Sequence, residues 1–144
     1  MPTKVCLGGT FNVIHRGHLA LFKRAFEEGD EVFVGLTSDS MAAERRSVPV
    51  QDYNTRLKNL SEALSRLCNG KRFWIFRIDD DLGPAVRENY DVIVVSAETV
   101  KGAESVNRAR EAGGLKPLRI SAVDIVLGPD GKKVSSTRII QGKR

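Results

Sequence analysis

The stretch Lys4-Val5-Cys6-Leu7-Gly8-Gly9-Thr10-Phe11-Asn12-Val13-Ile14-His15-Arg16-Gly17-His18 decides how this chain folds. Lys4 to Gly8 is a short apolar run closed by glycine, which reads as a buried strand. A helical pattern begins at Gly17 and runs to Glu28, with Leu19, Phe22, Ala25 and Phe26 recurring on one predicted face. A strand is therefore handed to a helix across paired glycines. Glycines let a backbone approach a ligand closely, because no side chain intervenes. The helix start that follows presents unpaired backbone N–H groups and the positive end of its dipole, which together favour an anion.

The same alternation continues outward from this unit. Gly29-Asp30 ends the first helix, and Glu31 to Leu36 reads as a second strand, whose consecutive apolar residues suggest burial on both faces. Asn54 to Cys68 is predicted as an amphipathic helix, with Leu57, Leu60, Leu64 and Leu67 on one stripe and Asn69-Gly70 as its stop. Further strands are expected over Arg72–Ile78, Asp91–Val95 and Leu118–Val126. Glu98–Ala112 reads as a helix, and Ser136–Gln141 as a final short one. Strands separated by helices imply crossovers and a parallel sheet, so the expected fold is α/β, a doubly wound parallel five-stranded sheet. Ligands of such sheets bind at the carboxyl ends of the strands, near the point where strand order reverses.

With 144 residues the chain fits one domain, taken as 1–144. It is 41% hydrophobic and 28% charged, which excludes a disordered class. No apolar run approaches a membrane span and no stretch reads as a signal peptide, so a cytoplasmic protein with no membrane partner is expected. Cys6 and Cys68 are too few for a disulfide framework or a thiolate metal site, and Cys6, inside an apolar run, reads as a buried inert thiol. The net charge is +5; split at residue 72, the halves carry +3 (11 minus 8) and +2 (12 minus 10). There is no basic arm and aromatics are only 6%. That pattern suits small anionic ligands and argues against nucleic acid.

Two constellations carry chemistry. P-loop and dinucleotide glycine fingerprints are missing after the first strand. His15 and His18, three apart at the helix start, share a face, and their imidazoles can donate to phosphate oxygens. Metal binding competes, although no third ligand cluster is visible. A capping or core role for either histidine competes as well. The second constellation is Val134-Ser135-Ser136-Thr137-Arg138-Ile139, preceded by Lys132 and Lys133. Serine at a helix start is commonly a cap. Three consecutive hydroxyls and an arginine exceed what one cap requires, and they suit a polyphosphate.

The spacing Gly-Thr-Phe-Asn-x-x-His-x-Gly-His with a late Ser-Ser-Thr resembles the nucleotidyltransferase superfamily with its His-x-Gly-His signature. More narrowly, the chain resembles the archaeal and eukaryotic branch of the phosphopantetheine adenylyltransferases. That closer likeness rests on Val34 to Asp39, Gly83-Pro84, Val94 to Thr99, Asn107-Arg108 and Val134 to Arg138. Asn12 departs from the family pattern, which has aspartate there. The resemblance implies a Rossmann-like nucleotidyltransferase fold and transfer of AMP from ATP to 4′-phosphopantetheine, giving dephospho-CoA and pyrophosphate. It implies direct in-line attack, with Mg²⁺ bound mainly through ATP and no metal held by the protein itself.

By the same resemblance His18 is the transition-state residue and His15 binds phosphate beside it. Gly9, Thr10 and Phe11 bind ATP, with Thr10 and Phe11 where the substrates meet and Thr10 reaching the acceptor phosphate. Ser96 lines the nucleotide pocket. Ser135, Ser136, Thr137 and Arg138 hold the β- and γ-phosphates of ATP, the backbone near Lys133 and Val134 meets its adenine, and Arg45 and Arg46 are candidates for the acceptor phosphate. Two alternatives stay open: another small-molecule nucleotidyltransferase with an FMN, NMN or polyol-phosphate acceptor, and a non-catalytic nucleotide-binding sensor.

Overall fold

Alternate residues of a strand go to opposite faces of a sheet, so each strand here feeds two cores. In the computed structural model, which describes residues 2–45, 49–79 and 84–124, the strands are β1 (Lys4–Gly9), β2 (Glu31–Thr37), β3 (Arg72–Ile78), β4 (Val92–Ser96) and β5 (Arg119–Val123). They form one sheet in the order β3-β2-β1-β4-β5, and every pairing is parallel. Val5 and Leu7 of β1, Val32, Val34 and Leu36 of β2, and Val92 and Val94 of β4 meet Phe22, Ala25, Phe26, Leu60 and Leu64 in one buried cluster. These partners come from helices α1 (Arg16–Glu28) and α3 (Tyr53–Leu67). The opposite-facing Cys6 and Ile93 pack with Ala103 of α4 (Val100–Ala112) and with Leu118. The α/β doubly wound architecture expected from the sequence is the observed one.

The register opens the site. β1 pairs with β2 as far as Gly9↔Leu36, but with β4 only through Val5↔Val92 and Cys6↔Ile93. β4 meanwhile stays paired with β5 to Ser96↔Val123. Beyond Cys6 and Ile93 the two central strands therefore part, and a crevice opens between their carboxyl ends where strand order reverses.

Several boundaries differ from expectation, each for an identifiable reason. Leu19 is 39% exposed although it shares the periodicity of Phe22. It lies in the first turn of α1, at the rim of the α1–α3 contact, and faces a groove with Ile14 and Leu67. The helix expected from Glu98 begins instead with a 3-10 turn, Ala97–Thr99, and becomes α-helical at Val100. β5 starts at Arg119 rather than Leu118 because the Asn107 side chain occupies both polar groups of Leu118. It donates to the Leu118 carbonyl at 2.9 Å and accepts the Leu118 N–H at 2.7 Å, leaving neither to a strand ladder.

A short helix α2 (Asp39–Arg45) was not expected. Its start was nonetheless legible: the Ser38 hydroxyl accepts the Met41 N–H at 3.3 Å, an N-cap, and Asp39 supplies a first-turn carboxylate. Asn69 and Gly70 end the α3 connection with φ of 49° and 81°, a left-handed turn that asparagine tolerates and that glycine, lacking a Cβ, adopts freely. Lys71 then donates to the Phe26 and Gly29 carbonyls at the end of α1. A cation thus sits where the helix dipole is negative. Residues 125 and 126 of the expected last strand and the helix expected over 136–141 lie outside the described residues. Among the described residues, no helix is long and apolar enough to cross a membrane.

Candidate active site at the carboxyl ends of β1 and β4

β1 runs out at Gly9, and the chain turns sharply to reach α1. Phe11 makes the turn with a left-handed φ of 47°, a conformation that costs a non-glycine residue energy and persists only where surrounding contacts hold it. Those contacts are aromatic. The Phe11 ring, 3% exposed, sits edge-on to His18 at 5.1 Å and to Phe22 at 5.2 Å between centroids. It also folds back over Gly9, where a Cβ would stand 3.0 Å from the ring. Position 9 is therefore glycine because the Phe11 side chain occupies its space.

The two histidines form a reciprocal cap on α1. His15 is the N-cap, and its Nδ1 accepts the Gly17 N–H at 3.0 Å. His18 reaches back, and its Nδ1 accepts the His15 N–H at 3.2 Å. This is a capping box built from imidazoles instead of a hydroxyl and a carboxylate. The rings stack with centroids 3.8 Å apart. Gly17 is required between them, since a Cβ there would lie 2.9 Å from His15 Cε1. The capping alternative left open by the sequence is thus real, and it is made through Nδ1 of each ring. Each neutral ring, with Nδ1 accepting, carries its proton on Nε2, a tautomer assigned from the hydrogen-bond network. His18 lines the crevice.

The crevice encloses about 370 Å³. Gly9, Thr10, Phe11, His18 and Ser96 all line it, while His15 is stacked behind His18. Ser96 ends β4, its hydroxyl 3.0 Å from that of Thr99, so it serves the turn and the crevice wall together. Among the described residues that line the crevice there is no carboxylate, which suits an anion. Cys6 also lines it, yet burial pushes its thiol up to about 12 against a weaker opposing effect of the Arg110 guanidinium. Its thiol stays protonated and inert at neutral pH. Arg45 closes α2, its side chain outside the described residues. Arg46, Lys133, Ser135, Ser136, Thr137 and Arg138 also lie outside them.

Below the crevice lies a residue that sequence reasoning missed. Arg56 of α3 has no exposed surface. It donates from Nε to the Gln51 carbonyl at 2.8 Å, from one terminal nitrogen to the Thr10 carbonyl at 3.0 Å and the Thr37 hydroxyl at 3.3 Å, and from the other to Asp39 at 3.0 Å. The Thr37 hydroxyl in turn donates to that of Thr10 at 3.0 Å. The signal was an arginine four residues before Leu60, on the apolar stripe of a helix otherwise filled by Leu60, Ala63 and Leu64.

Asn12, the departure from the family pattern, is 1% exposed. Its amide accepts the Gln51 N–H at 2.8 Å and donates to the Pro49 carbonyl at 3.2 Å. Only an amide serves both, because a carboxylate has no hydrogen for Pro49. Asn12→Asp is expected to destabilise the fold by about 1–3 kcal/mol, read as a lower urea midpoint. A variant as stable as the wild type would show that the donor half of this clamp is idle.

The chain is similar to known proteins over nearly its whole length. The cytidylyltransferase-like family model matches residues 6–142. The chain is 43% identical over 146 residues to the phosphopantetheine adenylyltransferase of Methanosarcina acetivorans, covering 99% of this chain and 92% of that one. It is 45% identical over 141 residues to the phosphopantetheine adenylyltransferase of Pyrococcus horikoshii, covering 96% and 89%. Among solved structures, a protein of unknown function from Archaeoglobus fulgidus superposes with a TM-score of 0.77 at 29% identity, covering 92% of this chain and all of that one.

Proposed function

Since the chain belongs to the cytidylyltransferase-like family, and within it to the phosphopantetheine adenylyltransferases, we propose that it transfers AMP from ATP to 4′-phosphopantetheine, as a step in making coenzyme A. A phosphate oxygen of the acceptor attacks the α-phosphorus of ATP and forms the new P–O bond. The bond from that phosphorus to the α–β bridging oxygen breaks, and its electron pair departs on pyrophosphate, leaving dephospho-CoA. The acceptor phosphate has a second pKa near ~6 and is mostly dianionic at neutral pH, so no general base is needed. What remains for the protein is to bring two anions together in line and stabilise charge as it builds.

The observation that carries this reading is that the helix cap holds His18 at the crevice wall. Its Nδ1 accepts the His15 N–H, which fixes the ring, and the neutral tautomer with its proton on Nε2 can donate to a phosphate. A rigid donor at a helix N-terminus suits an α-phosphate oxygen as the phosphorus becomes five-coordinate. His15 stiffens it from behind and binds phosphate beside it, and Thr10 donates to the acceptor phosphate. Gly9 and Phe11 shape the meeting point of the substrates, with Ser96 on the nucleotide side. Ser135, Ser136, Thr137 and Arg138 are assigned to the β- and γ-phosphates, the backbone near Lys133 to the adenine, and Arg45 and Arg46 to the acceptor.

Mg²⁺ fits as an ion carried by ATP. The described crevice donors are hydroxyl, imidazole and backbone groups, and among the described residues no three of His, Cys, Asp or Glu gather as a metal cage. Bound to the phosphates, Mg²⁺ would neutralise charge there. The reaction is assigned to the cytoplasm, without a nucleic-acid or membrane partner.

The test offers purified protein ATP and Mg²⁺ with 4′-phosphopantetheine, FMN, NMN or glycerol phosphate, and reads pyrophosphate release. Release with 4′-phosphopantetheine alone is expected. Release with a different acceptor would reassign the substrate. ATP binding with no release from any acceptor would point to a sensor.

A further inference from the structure

We infer that Arg56 and Thr37 are positioning residues that aim the hydroxyl proton of Thr10 into the crevice, where it binds the acceptor's phosphate. The inference rests on the reading above that this crevice takes a phosphate-bearing acceptor. A threonine hydroxyl has one proton to give and two lone pairs, and paired hydroxyls can exchange donor and acceptor roles. Here a guanidinium breaks that symmetry. It is a donor only and cannot lose its proton, so Thr37, which receives a hydrogen from Arg56, directs its own proton onward to Thr10. Thr10 Oγ1 is thereby made an acceptor toward the interior, and its own proton is left for a partner on the other side. Thr10 lines the crevice, and Thr37 meets it beside Thr10.

The same terminal nitrogen of Arg56 also holds the Thr10 carbonyl, immediately before the left-handed turn at Phe11. Hydroxyl direction and backbone position are thus set together. Arg56 and Thr37 are 0% and 2% exposed, and Thr10 is 7% exposed. The relay is buried and meets the crevice through its two hydroxyls, where a charge-assisted hydrogen bond is strong. Asp39 balances the guanidinium from the solvent side, with 62% of its side chain exposed. The acidic partner therefore stays away from the incoming anion.

The variants are Thr37→Val, which matches the shape of threonine without its hydroxyl, Thr37→Ser, which restores the hydroxyl, and Arg56→Lys. Kinetics with ATP and 4′-phosphopantetheine are paired with calorimetric binding of each substrate. Thr37→Val is expected to raise the acceptor's KM and Kd by about 10- to 100-fold while KM for ATP moves by less than ~3-fold. Thr37→Ser recovers most of the loss. Arg56→Lys, whose single ammonium cannot span the forked contacts, shifts the acceptor terms in the same direction.

A uniform fall in kcat with both KM values unchanged, or no recovery by serine, overturns the relay while leaving the proposed reaction standing. An acceptor Kd in Thr37→Val equal to that of the wild type does the same. A wild type that neither binds nor turns over 4′-phosphopantetheine overturns the proposed reaction and the relay together.

Discussion

His18→Asn is expected to lower turnover by roughly 10²–10³-fold, the cost of one preorganised donor in the transition state, while leaving stability near that of the wild type. The δ-position of asparagine coincides with Nδ1 of histidine. Its amide oxygen can therefore still accept the His15 N–H that His18 accepts now at 3.2 Å. What asparagine lacks is anything at the position of Nε2. His18→Gln inverts the substitution, keeping a donor at the ε-position and losing the cap. It is expected to retain more turnover than the asparagine variant but to lose about 1 kcal/mol of stability, a typical capping contribution. Pyrophosphate release and thermal unfolding measured on both proteins separate the two nitrogens. Near-wild-type turnover in purified His18→Asn would remove His18 from the mechanism.

The largest loss of stability is expected from Phe22→Ala, about 3–5 kcal/mol, against the ~5–15 kcal/mol that holds a typical domain together. Phe22 is fully buried and joins the core between α1 and the sheet. Its ring also supports the site from below, edge-on to Phe11 at 5.2 Å and parallel to His18 at 6.5 Å. Truncation leaves a cavity under the Phe11 turn, so the folded fraction should also turn over more slowly. Urea denaturation would show the midpoint fall with an unchanged slope. Leu19→Ala, one turn earlier on the same helix, is the control. With Leu19 39% exposed, its truncation should cost well under ~1 kcal/mol. Equal costs at the two positions would contradict the burial that distinguishes them.

Much of the fold was legible because it rests on short-period patterns. β3 occupies the residues that alternation assigned to it, and the ends of β1, β2 and α3 fall within one residue of expectation. The errors lie where a distant group overrode a local pattern. Leu118 reads as strand, yet Asn107 on α4 takes its N–H and its carbonyl. Leu19 reads as core by spacing, but it is positioned beyond the surface that α3 covers. α2 carries a readable Ser38-Asp39 start, but its seven residues offer too little periodicity to mark a helix.

Of the candidate site, the Gly9–His18 segment announced itself because glycines, histidines and a helix start stand together in the chain. Arg56 did not, because an arginine in a helix is ordinarily a solvated side chain. Only its placement on the buried stripe marked it.

From the sequence alone followed the alternating α/β order, the strand-to-helix turn at Gly9 and two imidazoles at the head of α1. Each depends on residues within a few positions of one another, where periodicity, capping and backbone sterics act. The tertiary structure alone decided where β1 and β4 part, which histidine nitrogen is spent on the cap, and that Arg56 reaches across 46 residues to hold Thr10. Those features are hydrogen bonds and registers between segments far apart in the chain. Their geometry exists only once the hydrophobic faces have closed on each other and excluded the water that would otherwise compete.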